Sequence, residues 1–187
     1  PEQSANLLHA VKDSLNTQLV FIVAFLIYTG ARKREVLEVK WSDINFEQGS
    51  WKISKNKSNK VRHIPLSEGA LETLSAVRQK WRMQHAGASV GPHDYVFANP
   101  STLKPFSSFF YSWNTARIKA GMPELRVHDL RHSFASFLVN AGRSIYEVQE
   151  LLGHADIKTT SRYAHLSQES LKVAVSAVPK LDIFTGK

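Results

Sequence analysis

The longest apolar run in the chain, residues 19–28, is the feature that most limits how the protein can fold. It has about half the ~20 residues that a membrane-spanning helix needs. No basic leader or small-residue cleavage site accompanies it, so it does not match the pattern of a signal peptide. Gly30 follows where such a helix would end, because glycine readily adopts the left-handed cap conformation. The run therefore predicts a helix buried in the core of a soluble, intracellular protein.

Composition narrows the classes of function. A length of 187 residues fits one domain or at most two small ones, and a hydrophobic share of 43% is enough to form a core. The absence of cysteine excludes disulfides, thiolate nucleophiles, zinc fingers and iron–sulfur clusters. The 24 Lys and Arg against 16 Asp and Glu give a net charge of +8, which favours a polyanionic partner. Nucleic acid fits this charge better than a membrane, because no spanning helix is predicted.

Periodicity and capping residues predict an α+β fold that is mostly helical and carries one small sheet. Helices are predicted at 4–15, 19–28, 33–39, 67–85, 107–120, 128–141, 144–152, 156–164 and 167–178. Aromatic and β-branched residues predict three short strands at 41–46, 51–54 and 61–66. The last two flank the lysine-rich residues 56–60, so we expect an antiparallel hairpin with a basic tip. The loose stretch 86–105 is interpreted as a long loop within one domain.

Three consecutive cations, Arg32, Lys33 and Arg34, stand at the start of a predicted helix. Positive charge at that end opposes the helix dipole, so the arrangement is unfavourable unless an anion lies nearby. A phosphate would satisfy it, since helix N-termini and guanidinium groups both bind phosphate. Taken alone, a cluster of this kind is more often a solvent-exposed turn than a binding site.

The predicted helix 128–141 carries apolar residues at the spacing of one helical face. The buried stripe predicted from this spacing is Leu130, Phe134, Phe137, Leu138 and Ala141. His128 and Arg131 are three residues apart on an adjoining face, where they could act on one ligand. A capping histidine and a surface arginine are the ordinary alternative. The aromatic residues 109–111 and Trp113 are expected in the core rather than stacked on bases.

A last pair of functional candidates follows further along the chain. Gly153 is expected to end a helix, and His154 emerges directly after it. Tyr163 comes nine residues later on the next predicted helix. A tyrosine on a helix usually belongs to the core, with its hydroxyl reaching the surface, so neither residue is decisive by itself.

Together, in this order and spacing, these patches resemble the catalytic domain of the tyrosine recombinases, the phage integrase family. The matching stretches are residues 29–35, KSNKVRHIPL at 57–66, HDLRHSFAS from His128 and LLGHADIKTTSRYAHL from Leu151. The last two are the most specific. Their spacing from histidine to tyrosine and the flanking Leu-Gly and Thr-Thr pairs agree with the family pattern.

The resemblance implies a site-specific DNA recombinase or integrase that cuts and rejoins DNA strands. Tyr163 would attack a phosphodiester, forming a 3′-phosphotyrosyl link and freeing a 5′-hydroxyl. Arg32 and Arg131 would clamp the phosphate oxygens, and His154 would donate a further hydrogen bond to them. Lys57, in the hairpin, would protonate the departing oxygen as general acid.

Further residues are assigned supporting roles by the same resemblance. His128 would accept the tyrosine proton or position the phosphate, and Glu35 would orient its neighbours. The additional DNA contacts implied are Lys33, Arg34, Lys55, Lys60 and Arg62. No cofactor, metal or ATP is expected, because transesterification keeps the bond energy in the covalent intermediate.

The resemblance also sets expectations for organisation and partners. Residues 1–187 would form a single catalytic domain without the N-terminal core-binding domain of the family, and tail residues 167–187 would dock on a neighbouring protomer or pack in cis. The partner would be double-stranded DNA, bound by a tetramer that is monomeric when free, with accessory DNA-bending or directionality factors, in the bacterial cytoplasm at the nucleoid. The alternatives are a type IB topoisomerase-like enzyme and a non-catalytic DNA-binding regulator with the same fold.

Overall fold

The computed structural model of the chain describes residues 2–54, 61–85, 87, 89–154, 156 and 158–163. Its helices are α1 Glu2–Lys12, α2 Leu19–Thr29, α3 Lys33–Leu37, α4 Glu68–Gln84, α5 Phe110–Lys119, α6 Val127–Asn140, α7 Ile145–Leu152 and α8 Lys158–Ser161. A 3-10 helix spans Trp41–Asp43, and the strands are β1 Ile44–Asn45, β2 Ser50–Ile53 and β3 Arg62–Pro65. Two compact units divide after Phe134, within α6. The predicted helix 167–178 and the hairpin tip lie outside the described residues.

The core of the first unit is built around α2, the apolar helix predicted from the sequence. Leu19, Ile22 and Phe25 are fully buried on this helix, which packs against α1, α3 and α4. The centroid of the Phe25 ring lies 5.3 Å from that of Trp51 in β2 and 5.4 Å from that of Phe97. Burying one side chain of this size stabilises the fold by about 1.5–3 kcal/mol. These contacts hold the sheet against the helices.

Gly30 ends α2 and sets the direction in which the chain enters the cationic segment. Its φ of +59° is left-handed, and its N–H donates to the carbonyl of Leu26 at 2.9 Å. A Cβ placed on Gly30 would lie 2.3 Å from the ring of Phe134 in α6. The position therefore needs glycine for two reasons, the backbone conformation and the space that the ring occupies.

The three strands form one antiparallel sheet in the order β1–β2–β3, which confirms the predicted pairing of the hairpin strands. Trp51 stands opposite Ile64, and Ile53 stands opposite Arg62. Trp51, Ile53 and Ile64 are buried, whereas Lys52, which lies between Trp51 and Ile53 in β2, is exposed. This period of two packs one face of the sheet on the core and leaves the other to solvent.

The strand predicted at 41–46 is shorter than expected. Trp41–Asp43 form a 3-10 helix instead, and only Ile44–Asn45 pair with β2. The reason is local: the Asp43 carboxylate accepts a hydrogen bond from the backbone N–H of Lys40 at 2.9 Å. Side-chain acceptors of this kind stabilise turns at the expense of strand pairing.

The buried face of α6 differs from the predicted stripe. Phe137 is 65% exposed and Ala141 is also exposed. The buried residues include Arg131, Ala135 and Val139, which follow one another at intervals of four. Hydropathy assigns an arginine to the surface, so a pattern based on it gives the wrong face when that arginine has a polar partner in the interior.

In the second unit, α7 matches the helix predicted at 144–152, with Ser144 as its N-cap. The Ser144 hydroxyl accepts from the backbone N–H of Glu147 at 3.2 Å, and the Glu147 carboxylate accepts from the backbone N–H of Ser144 at 2.7 Å. This reciprocal pair is a capping box. The helix ends at Gly153 with a φ of +65°. Helix α8 covers only Lys158–Ser161, within the predicted 156–164.

Candidate active site

Glu35 supplies the negative charge that the cationic start of α3 requires. Its Oε2 accepts from the backbone N–H of Arg32 at 2.8 Å, and its Oε1 accepts from Arg32 Nη1 at 3.0 Å. A carboxylate in the first turn also interacts favourably with the helix dipole. The side chain of Glu35 is only 7% exposed, whereas that of Arg32 is 44% exposed. The buried Glu35 carboxylate therefore binds Arg32 from the interior side, and the Arg32 side chain stays partly exposed at the surface.

A second arginine reaches Glu35 from the sheet. Arg62 lies in β3, and its Nη1 and Nη2 donate to Glu35 Oε1 at 3.1 Å and Oε2 at 2.8 Å. This two-point geometry is the strongest pairing available between the two groups. The Arg62 side chain is 10% exposed. The sequence assigned Arg62 to DNA contact, and the structure places it in a buried pair with Glu35.

Arg131 connects α6 to the same turn. Its residue exposure is 4%, and its Nη1 donates to the carbonyl oxygen of Gly30 at 2.7 Å. Gly30 precedes Arg32 by two residues, so this bond joins the Arg131 guanidinium to the backbone that carries Arg32. The Arg131 side chain is thereby anchored to the turn that leads into Arg32, within the first unit.

His128 lies one turn before Arg131 at the start of α6. Its ring makes an edge-on contact with His132, with a centroid distance of 4.7 Å. Desolvation lowers the pKa of His128, and the neighbouring positive charges of His132 and Arg131 lower it further. Because the ordinary value is already below 7, the imidazole is mostly neutral at neutral pH and able to accept a proton.

The second unit holds the other two predicted catalytic residues close to one threonine. Nδ1 of His154 lies 2.8 Å from the hydroxyl oxygen of Thr160. The backbone N–H of Tyr163 donates to the carbonyl of Thr160 at 3.0 Å. Thr160 is fully buried and Tyr163 is 6% exposed. One buried residue therefore anchors both the imidazole and the segment that carries the phenol.

The structure describes only some of the remaining residues that were predicted to contact DNA. Lys33 and Arg34 are exposed in the first turn of α3, and Arg34 pairs with Glu38 one turn further along. Lys57 and Lys60 of the predicted basic tip, and Lys55 directly before it, lie outside the described residues.

Sequence reasoning missed two features of this site. It used Thr160 only as part of a matching Thr-Thr pair, although a threonine three residues before a candidate nucleophile could have been examined as an anchor. It also missed the partnership of Arg62 with Glu35. No local sequence pattern indicates that contact, because the two residues are 27 positions apart.

Within the described part of the chain, no helix combines the length and apolarity needed to cross a bilayer. Among the same residues, no three His, Asp or Glu side chains gather closely enough to hold a metal ion.

The pattern that defines the phage integrase family matches residues 1–170. The chain belongs to the phage integrase family. Tyrosine recombinase XerC of Staphylococcus epidermidis is 31% identical over 164 residues, which are 85% of this chain and 53% of that protein. Tyrosine recombinase XerA of Pyrococcus furiosus is 33% identical over 179 residues, 94% of this chain and 59% of that protein. The chain thus spans somewhat more than half the length of these relatives.

Solved structures give the same classification. The catalytic domain of bacteriophage HP1 integrase matches with a TM-score of 0.70 at 27% identity, covering 95% of this chain and 92% of that one. A crystal structure of XerA recombinase matches with a TM-score of 0.71 at 26% identity, covering 96% of this chain and 62% of that one. These matches confirm the predicted fold, a tyrosine recombinase catalytic domain with a small antiparallel sheet.

Proposed function

We propose that this chain is the catalytic part of a site-specific DNA recombinase or integrase. It would cut and rejoin strands through a covalent 3′-phosphotyrosyl intermediate. The observation that carries the proposal is the bond from the buried Arg131 guanidinium to the carbonyl of Gly30, beside Arg32. Arginine is suited to this place because its planar group stays charged and binds two phosphate oxygens at once.

The arginines would act on the charge that develops at phosphorus. Attack on a phosphodiester increases the negative charge of its non-bridging oxygens, and fixed donors stabilise that charge most when they are held in place beforehand. Arg131 is held by Gly30, and Arg32 is held by Glu35. Neither group would need to be ordered at the moment of reaction, which is the condition for efficient electrostatic catalysis.

Thr160 favours one tautomer of His154. Its fully buried hydroxyl has the imidazole Nδ1 as its one hydrogen-bond partner among the described residues. If Nδ1 carried the proton, the hydroxyl hydrogen would need another acceptor, and leaving it unpaired in the interior would cost about 1–3 kcal/mol. A hydroxyl that donates to Nδ1 would leave the ring proton on Nε2. His154 would then donate from Nε2 to a phosphate oxygen.

Tyr163 would be the nucleophile, with His128 as the group that takes its proton or positions the phosphate. A phenol has a reference pKa of about 10, so it needs a base or strong charge stabilisation to react at neutral pH. The lowered pKa of His128 keeps that ring able to accept a proton. Glu35 would serve as the orienting acid already assigned to it.

Double-stranded DNA is the partner that this chemistry requires, and the net charge of +8 favours its binding. Exchange between two duplexes breaks four strands. Because each chain contributes one nucleophile, the active form on DNA would be a tetramer, assembled from chains that are monomeric when free. Accessory DNA-bending or directionality factors would act at the level of this assembly.

Covalent capture tests the proposed function. The protein is mixed, in the presence of EDTA, with a pool of nicked duplexes of randomised sequence, each nicked so that the short fragment with the freed 5′-hydroxyl diffuses away. We expect adducts that survive detergent and retain the strand whose 3′-phosphate is at the cut, enriched for one sequence class. DNA binding without any adduct would favour the non-catalytic regulator. Adducts of random sequence, together with relaxation of supercoiled DNA by the monomer, would favour a type IB topoisomerase.

The general acid is tested by changing the leaving group. Lys57→Ala is expected to slow cleavage by about 100-fold or more on ordinary DNA. On DNA with sulfur at the bridging 5′ position, cleavage should return to the unmodified rate, because a thiolate leaves without being protonated. Lys55→Ala and Lys60→Ala serve as matched variants of the same hairpin. Rescue in one of these variants, and not in Lys57→Ala, would move the role to that lysine.

A further inference from the structure

The Arg32–Glu35–Arg62 cluster contains two positive charges and one negative charge. Glu35 and Arg62 are its buried members, with side chains 7% and 10% exposed, and Arg32 is its exposed member at 44%. Both carboxylate oxygens of Glu35 accept a hydrogen bond from the Arg62 guanidinium, at 2.8 and 3.1 Å. The buried pair is neutral overall, so the net positive charge of the cluster lies at Arg32, where solvent or a ligand can reach it.

The geometry makes Arg62 a poor candidate for a phosphate contact. Its two terminal nitrogens point at Glu35, and its Nε is buried and has no hydrogen-bond acceptor among the described residues. A phosphate contact needs N–H groups that face solvent. Arg34, in contrast, has a side chain that is 60% exposed.

We infer that Arg62 is a positioning residue that acts on Arg32 through Glu35. It neutralises the carboxylate, which would otherwise cancel the charge of Arg32, and it fixes the orientation in which Glu35 holds the Arg32 guanidinium. The inference rests on the proposed function, because it assigns Arg32 the task of binding the phosphate under attack. It also links strand β3 of the hairpin to α3 through one carboxylate.

A mutant cycle between Arg62 and Glu35 tests the inference. Arg62→Gln is expected to slow adduct formation by about 10- to 100-fold, since small displacements of a group that binds the reacting centre have effects of this size. DNA affinity and its dependence on salt should stay unchanged. In a Glu35→Gln background, where no carboxylate is left to cancel the charge of Arg32, the same Arg62→Gln change should cost less than about threefold. Arg62→Lys, which keeps the charge, should lie between wild type and Arg62→Gln.

Lys119→Gln is the matched control, because it removes one positive charge from an exposed pair with Asp13. It should leave the cleavage rate unchanged. Thermal melts of every variant are recorded, and cleavage is measured well below each melting temperature, so that loss of folding is separated from loss of rate.

Two results would overturn the inference. One is an equal cost of Arg62→Gln in the native and Glu35→Gln backgrounds, which would mean that Arg62 does not act through the carboxylate. The other is a salt slope lowered by about 1 relative to Lys119→Gln, which would identify a direct phosphate contact. Failure of the wild-type protein to form any adduct would contradict the proposed function instead, and the salt slope would still decide the role of Arg62.

Discussion

Replacing Tyr163 with phenylalanine should abolish the covalent adduct while leaving DNA binding nearly intact. The change removes one oxygen and keeps the ring, which matters because the residue is only 6% exposed and contributes to packing. Loss of a nucleophile typically costs at least about 1,000-fold in rate, beyond what binding interactions can restore. Its backbone bond to Thr160 does not involve the side chain, so the local fold should be kept.

The measurement is the yield of detergent-resistant adduct on nicked duplexes, with affinity determined in parallel by fluorescence anisotropy. Tyr111→Phe is the matched control, because Tyr111 is 86% exposed on α5 and has no assigned role. It should form adducts at the unmodified rate. Persistence of adducts in Tyr163→Phe would show that another side chain is the nucleophile, and peptide mapping of the adduct would then identify it.

Gly30→Ala is expected to lower the free energy of unfolding by about 3 kcal/mol, the sum of left-handed strain and overpacking. The strain follows from a φ of +59°, and the overpacking from the 2.3 Å distance between a new Cβ and the Phe134 ring. Displacement of that ring would also disturb α6, which carries Arg131. Cleavage should therefore fall even under conditions where the variant is folded.

Chemical denaturation measures this effect, and Gly121→Ala provides its control. Gly121 has a φ of +72° but nothing within 4 Å of an added Cβ, so it should lose only the strain component, about 1–2 kcal/mol. Adding Phe134→Ala to Gly30→Ala should relieve the clash, so the two changes together should cost less than the sum of their separate costs. Equal losses for Gly30→Ala and Gly121→Ala would show that the ring adapts without cost.

Sequence predicted those parts of the fold that depend on local interactions. Gly30 and Gly153 were expected to end helices, and both do so in the left-handed conformation, because a cap involves only residues within one turn. The buried α2 and the paired hairpin strands followed from runs of apolar and β-branched residues. The candidate catalytic residues came from the resemblance to the tyrosine recombinases, which the order and spacing of the motifs carry.

The rest depends on partners that are distant in sequence. Phe110 and Tyr111 were expected in the core with Phe109, but they are 57% and 86% exposed. Consecutive residues of a helix point in different directions, so only a known packing partner decides which of them is buried. The same holds for Arg131, whose burial depends on a carbonyl 101 positions away. Hydropathy carries no information about such an acceptor.

Thr160 serves two neighbours at once, because its hydroxyl holds the imidazole of His154 and its carbonyl holds the backbone of Tyr163. A shift of this short helical turn would carry the phenol and loosen the imidazole in the same movement. In the proposed mechanism, competence for attack and readiness to stabilise the resulting charge would then be gained or lost together, as a single step. A half-assembled state, with the tyrosine in place and the histidine displaced, would then be rarely occupied, and this would limit DNA breaks that cannot be resealed.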